Sequence, residues 1–282
     1  RPPRPAGRGQ RLEEPPVARR ARALGLPLLQ PERVRAEPFL AALAALRPDA
    51  AVVVAFGQLF PRALLDLPAH GCINLHASLL PRWRGAAPIQ AAIAAGDRVT
   101  GVTTMRMEEG LDTGPLLLRE EVAIEADETA GELAARLARR GAELLVRTLD
   151  GLAAGTLVPR PQREEEATYA PRLTRASGRA DWSLAAEALA DRLRAFTPWP
   201  GLWATLRGAP VKLVAARAVA AAAAPREPFE GTVLGLAGGR LEVLCGGGTV
   251  LGVETLQRPG RRPLPAPAFA NGERLRAGER FA

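Results

Sequence analysis

The run Ala51-Val52-Val53-Val54-Ala55-Phe56 constrains the fold more than any other stretch, because a short unbroken β-branched segment reads as a strand buried on both faces. Strands of that kind belong to sheets covered by helices. The surrounding sequence supplies them. Val17 to Leu24 can form a short helix, and Pro38 to Leu46 opens with proline at a first-turn position and carries apolar residues at helical spacing. Pro88 to Ala95 reads as another helix, and Thr129-Ala130-Gly131-Glu132 is a capping box that opens a long amphipathic helix ending near Leu152. Between them, Cys72 to His76 and Val99 to Met107 read as strands. This alternation predicts a doubly wound, Rossmann-like α/β domain. No GxGxxG follows a strand, which removes the dinucleotide-binding version of that architecture.

After Val158 the composition changes. Pro159, Pro161, the acid run Glu164-Glu165-Glu166 and Pro171 mark a linker over 158–176, dividing the chain into a first domain, 1–157, and a second, 177–282. In the second, a helix stopped by Thr197-Pro198 precedes short alternating runs at Leu202–Leu206, Val211–Val219, Thr232–Leu236, Arg240–Cys245 and Thr249–Leu256, separated by glycine turns. That pattern predicts a small β-barrel of OB type, an architecture that often binds nucleic acid.

Charge points the same way. The net charge of +8 is concentrated at the ends: residues 1–35 hold nine Arg against three Glu and residues 255–282 hold six Arg against two Glu, so the ends carry +6 and +4 and the remainder −2. Basic ends around a near-neutral middle suit a polyanionic partner. The Pro- and Gly-rich opening from Arg4 to Leu12 is expected to be a basic loop with neither helix nor strand, presenting Arg8 and Arg11. No window of about twenty residues is continuously apolar, which argues against a membrane span. Cys72 and Cys245 match no zinc or redox spacing and read as buried reduced thiols, and the two histidines leave little for a metal site, so no metal is expected. His70 beside Gly71 reads as a turn residue.

The chemistry-bearing residues lie in the first domain. Asn74 and His76 are two apart, so on a strand they leave the same face, and Pro81 ends that strand. A donor pair at the carboxyl end of a strand is where α/β sheets bind ligands. Asp112, the acid of Gly110-Leu111-Asp112-Thr113-Gly114, could be carried to the same rim by a tight loop. Taken alone, Asn-x-His reads equally as a satisfied polar pair, and Gly-x-Asp-x-Gly as a simple turn.

The longer string decides between these readings. Asn74-Leu75-His76-Ala77-Ser78-Leu79-Leu80-Pro81-Arg82-Trp83-Arg84-Gly85-Ala86-Ala87-Pro88-Ile89-Gln90, with Gly101-Val102-Thr103 and Gly110 to Gly114, closely resembles the methionyl-tRNA formyltransferase family, and the likeness extends over nearly the whole chain. The resemblance implies transfer of a formyl group from 10-formyltetrahydrofolate to the amino group of methionyl initiator tRNA. It implies that Asn74 binds the formyl oxygen as charge grows on it, that His76 donates to that oxygen or shuttles protons, and that Asp112 orients His76 and takes a proton. Either His76 or Asp112 serves as the base on this reading. No nucleophilic Ser or Cys is required, because the amine itself attacks.

By the same resemblance Ser78, Leu79, Leu80 and Pro81 contact the folate, the leucines covering the pterin while backbone groups read its edge, and Phe56 and Gly57 line the same pocket. Arg8 and Arg11 belong to a basic loop that reaches the tRNA acceptor end. A cytoplasmic monomer is expected. In the family that loop follows an initial strand, helix and strand, and this sequence is expected to lack them. The nearest rivals are a glycinamide ribonucleotide or sugar-amine formyltransferase, which share Asn-x-His and a later Asp, and an inactive nucleic-acid-binding homologue. The Arg82 to Gln90 segment and the barrel argue against the first, and the intact Asn74, His76 and Asp112 against the second.

Overall fold

The structure, a computed structural model, describes residues 2–6, 11–220 and 229–282. The chain opens with β1 (Arg4–Ala6) and β2 (Arg11–Glu13), which pair antiparallel with Arg4 opposite Glu13 and Pro5 opposite Leu12. This corrects the expectation of a loop throughout. A two-stranded ribbon has an unpaired outer side on each strand, and there a proline without an N–H breaks no ladder. Two helices follow, α1 (Pro16–Ala23) and α2 (Glu37–Ala45), each with proline in its first turn.

The first sheet and its helices come next: β3 (Ala51–Val54), α3 (Arg62–Leu65), β4 (Cys72–His76), the two-residue β5 (Arg84–Gly85), α4 (Pro88–Ala94), β6 (Val99–Arg106), β7 (Leu116–Ala123) and α5 (Ala130–Ala153). The strand order is β3-β4-β6-β7. Only β3 and β4 run parallel, while β4–β6 and β6–β7 are antiparallel. The sheet is therefore mixed rather than doubly wound. The loop 107–115 between β6 and β7 is far too short for a crossover helix, and a short connection returns the chain antiparallel. The β-branched run is also less buried than expected. β3 is an edge strand; Val53 packs with Leu65 and Cys72, but Val52 is 44% exposed and Val54 54%. The run reports the preference of branched side chains for extended backbone, and burial depends on what covers the sheet.

α5 starts where the capping box placed it, with Thr129 Oγ1 accepting from the Glu132 amide and Glu132 accepting from the Thr129 amide. It buries Leu133, Leu137, Leu144 and Leu145 against the sheet, and Gly141 lets the helix lie close over Leu75 of β4.

The stretch after α5 is packed down. Leu116 and Arg160 exchange backbone hydrogen bonds of 2.7 and 2.9 Å, and β8 (Tyr169–Ala170) pairs parallel with β5. Then come α6 (Ala186–Ala195), β9 (Leu202–Leu206), β10 (Ala209–Val219), β11 (Val233–Ala237), β12 (Arg240–Leu244), β13 (Val250–Gln257), β14 (Leu264–Pro265) and α7 (Ala266–Glu273). These strands form one antiparallel sheet ordered β11-β12-β13-β10-β9, with β14 on β13. Residues 278–282 bond both outer strands: Thr205 of β9 exchanges hydrogen bonds with Ala282, and Val233 of β11 donates to the Glu279 carbonyl while accepting from the Gly278 amide. The two halves share a core, in which Ile93 of α4 and Leu133 and Leu137 of α5 belong to the same apolar cluster as Leu189 and Leu193 of α6 and Leu202 and Val211 of the second sheet.

Candidate active site

β4 ends in the site. Alternation puts Cys72, Asn74 and His76 on one face; Cys72 is sealed beneath α3, with its thiol donating to the Leu64 carbonyl at 3.5 Å, and Asn74 and His76 reach the rim. Asp112 meets both. Asn74 Nδ2 donates to Asp112 Oδ1 at 3.3 Å, and His76 Nδ1 lies 3.6 Å from Asp112 Oδ2. The same Oδ2 accepts the Gly85 amide at 2.9 Å. On the other side of the ring, His76 Nε2 lies 2.8 Å from the Trp83 carbonyl. A carbonyl only accepts, so Nε2 carries the proton and Nδ1 is the nitrogen that faces Asp112. The three residues singled out from sequence are thus brought into one cluster, with His76 buried and Asn74 and Asp112 partly open.

The loop carrying Asp112 has an unusual backbone. Asp112 adopts φ +54°, a region that Asp tolerates better than most residues. Its flanking glycines serve by having no side chain: a Cβ on Gly114 would meet the Arg106 carbonyl, and one on Gly110 would meet the Thr113 side chain. Trp83, at φ +63°, is another such residue, held by Thr168 Oγ1, which accepts its amide at 2.9 Å, and by Asp97, which accepts its indole N–H at 2.8 Å.

The segment Ser78-Leu79-Leu80-Pro81 follows β4, and most of its polar groups are bonded within the protein. Ser78 Oγ donates to the Arg82 carbonyl at 2.6 Å, Thr103 Oγ1 donates to the Ser78 carbonyl and accepts from the Leu80 amide, and Arg119 donates to the Leu80 carbonyl at 3.1 Å. Leu80 is fully buried and Leu79 half-buried. The backbone groups of Ser78 and Leu80 expected to read a pterin edge are therefore engaged by Thr103 and Arg119. Phe56 is half-buried and packs edge-on against Phe60, with Gly57 exposed beside it. Arg8 lies outside the described residues; Arg11 lies in β2, its side chain outside the description.

Single-sequence reasoning passed over four residues that the site depends on. Arg84 is fully buried, yet its guanidinium is satisfied: Nη1 donates to both oxygens of Glu164 at 2.8 Å, and Nε and Nη2 donate to Gln162 Oε1 at 3.1 and 3.0 Å. Thr168 supports Trp83. Arg84 lies within the motif that carries the family resemblance, whereas Gln162, Glu164 and Thr168 lie in the segment that reads as a linker and carry no local signal. Among the described residues no group of His, Cys, Asp and Glu could hold a metal ion, and no helix is long and apolar enough to cross a membrane.

Comparison with known proteins places this chain in a family. Residues 1–149 match the formyl transferase profile and residues 172–274 the formyl transferase C-terminal domain. The methionyl-tRNA formyltransferase of Anaeromyxobacter sp. (strain K) is 52% identical over 274 residues, 97% of this chain and 87% of that protein. That of Halorhodospira halophila is 50% identical over 278 residues, 99% of this chain and 88% of that protein. Among solved structures, WlaRD, a sugar 3N-formyl transferase, matches with a TM-score of 0.62 at 14% identity, covering 87% of this chain and 82% of that one. HypX from Aquifex aeolicus, in complex with tetrahydrofolic acid, matches with a TM-score of 0.58 at 18% identity, covering 87% and 43%. Those two likenesses are of fold alone. Identity of about half, sustained across both matched domains, is what assigns the chain: it belongs to the methionyl-tRNA formyltransferase family.

Proposed function

We infer that this protein transfers the formyl group of 10-formyltetrahydrofolate to the amino group of methionyl initiator tRNA, and that Asn74, His76 and Asp112 carry the reaction. The observation that carries this reading is the convergence of an amide, an imidazole and a carboxylate at the end of β4. The amine attacks the formyl carbon, a C–N bond forms, and the carbonyl oxygen becomes an oxyanion. One Asn74 N–H is spent on Asp112; the other is left to bind that oxygen. The proton lost by the amine passes to the His76–Asp112 pair. The same pair returns a proton to the folate nitrogen as its bond to the formyl carbon breaks, so the protons balance. Trp83, by fixing the Nε2 proton, directs this exchange to Nδ1 and Asp112.

Ser78 to Pro81, with Phe56 and Gly57, form the folate side of the site on this reading, and Leu79 and Phe56, both half-buried, supply its apolar surface. Arg8 and Arg11 bind the tRNA on this reading, a role supported by the +6 balance of residues 1–35. Residues 1–157 act as the catalytic domain, 158–176 as the connection and 177–282 as an OB-type barrel that helps hold the tRNA. The bonding of both outer strands by residues 278–282 supports barrel closure. The enzyme works in the cytoplasm as a monomer, where translation supplies its substrate.

Asn74→Ala and His76→Ala, assayed with methionyl-tRNA and 10-formyltetrahydrofolate, are each expected to lose about 10²- to 10³-fold in kcat with folding intact, the usual effect of removing a transition-state donor. Turnover within about threefold of the parent for either variant removes that residue from the mechanism.

A further inference from the structure

Gln162 reaches the site from the segment that connects the two halves. Its Nε2 donates to the Asp112 carbonyl at 2.8 Å and to the Gly114 carbonyl at 2.7 Å, using both amide hydrogens. Its Oε1 accepts twice from buried Arg84. The amide orientation follows from these partners, since a flipped amide would turn its N–H groups on a guanidinium and its oxygen on two carbonyls. Arg84 in turn sits beside Gly85, whose amide donates to Asp112 Oδ2. Asp112 is therefore gripped at both ends, its main chain through Gln162 and its carboxylate through Gly85, and Arg84 closes the ring.

We propose that Gln162 is a positioning residue for the reaction, holding the left-handed backbone of Asp112 so that its carboxylate meets Asn74 and His76. The proposal rests on the formyl-transfer reading of Asp112 given above. A non-glycine residue at φ +54° carries strain that its surroundings must hold, and Gln162 gives the loop two hydrogen bonds, one at the Asp112 carbonyl itself and one two residues on at Gly114. Glu164, which bonds Arg84, keeps the guanidinium turned toward Gln162.

The test is Gln162→Glu in the full chain. The introduced carboxylate still accepts from Arg84 but sets an oxygen against two carbonyl oxygens in place of two donors, so the loop shifts. A displacement on the order of 1 Å can cost about 10²-fold in rate. We expect kcat to fall at least about tenfold, with KM for methionyl-tRNA and for the folate within about twofold and the melting temperature nearly unchanged. The chain has two histidines, His70 and His76, so imidazole ¹⁵N signals report the site directly. The His76 signals should move both in Gln162→Glu and in Asp112→Asn, with those of His70 in place. A kcat within about threefold of the parent overturns the proposal, and so does a loss of kcat with unmoved His76 signals. If Gln162→Glu does not fold, Gln162→Asn, which keeps the amide on a shorter stem, is read on the same signals and rates. Asp112→Asn separates the two readings. Full activity there sinks the function, whereas an inactive Asp112→Asn beside an unaffected Gln162 variant sinks only the role of Gln162.

Discussion

Trp83 and Asp112 hold backbone conformations that side-chain-bearing residues seldom adopt, and each hands one group to His76: a carbonyl on one side of the ring, a carboxylate on the other. Strain at both ends of one imidazole marks where folding energy has been spent on geometry. Cys72, four residues before His76 on the same strand, shows how local such shaping is. Burial, with a smaller effect of Asp66, pushes its thiol up to about 11, and burial pushes Cys245 up to about 12. At pH 8 both remain thiols, and the thiolate is the reactive form. Iodoacetamide should therefore label neither cysteine in the folded protein and both after unfolding in urea, as counted by intact mass. Labelling of folded Cys72 would mean that α3 opens away from β4.

At the scale of elements, what was legible in the sequence was local. The capping box set the start of α5 because its two hydrogen bonds lie within four residues, and the period-2 spacing put Asn74 and His76 on one face because alternation is a property of the strand itself. What depended on distant partners was not legible. The antiparallel course of β6 and the exposure of Val52 and Val54 follow from how elements meet, and Gln162 finds Asp112 fifty residues away and Arg84 seventy-eight. The loop 107–115 lies between these cases. Gly110 and Gly114 announced a turn, but the structure distinguishes them: Gly110 faces a threonine side chain that can rotate, and Gly114 a backbone carbonyl that cannot. Gly110→Ala should cost less than about 1 kcal/mol, because Thr113 must shift to admit the methyl but is free to do so. Gly114→Ala should cost about 1–3 kcal/mol, as overpacking does, and should lower kcat by moving Asp112. Urea unfolding of the two variants side by side checks this, and equal costs would contradict the spacing argument.

Across the whole molecule, α4 and α5 of the first half and α6 of the second bury their apolar faces in one cluster, so neither half closes its core alone. The second sheet has a further dependence on residues 278–282, which bond β9 on one side and the start of β11 on the other. Glu279 anchors this segment through two hydrogen bonds of 2.7 Å from Arg207, and that guanidinium holds its carboxyl below the usual range; Arg258 does the same for Glu273. A carboxyl lowered in the folded state stabilises it above the unfolded carboxylate value of about 4.3, and that contribution is lost as pH falls through the lowered folded value. Acid should therefore loosen the segment. Strand edges without partners are templates for other chains, and these residues occupy part of both outer edges. Deleting 278–282, or acidifying the intact chain, should raise light scattering in proportion to protein concentration. A shortened chain that stays monodisperse at neutral pH would show that β9 and β11 protect themselves. On this account, the abundance of folded protein depends on a few hydrogen bonds made by residues 278–282, none of them to Asn74, His76 or Asp112, and a substitution there lowers activity in a cell through the amount of protein rather than through its chemistry.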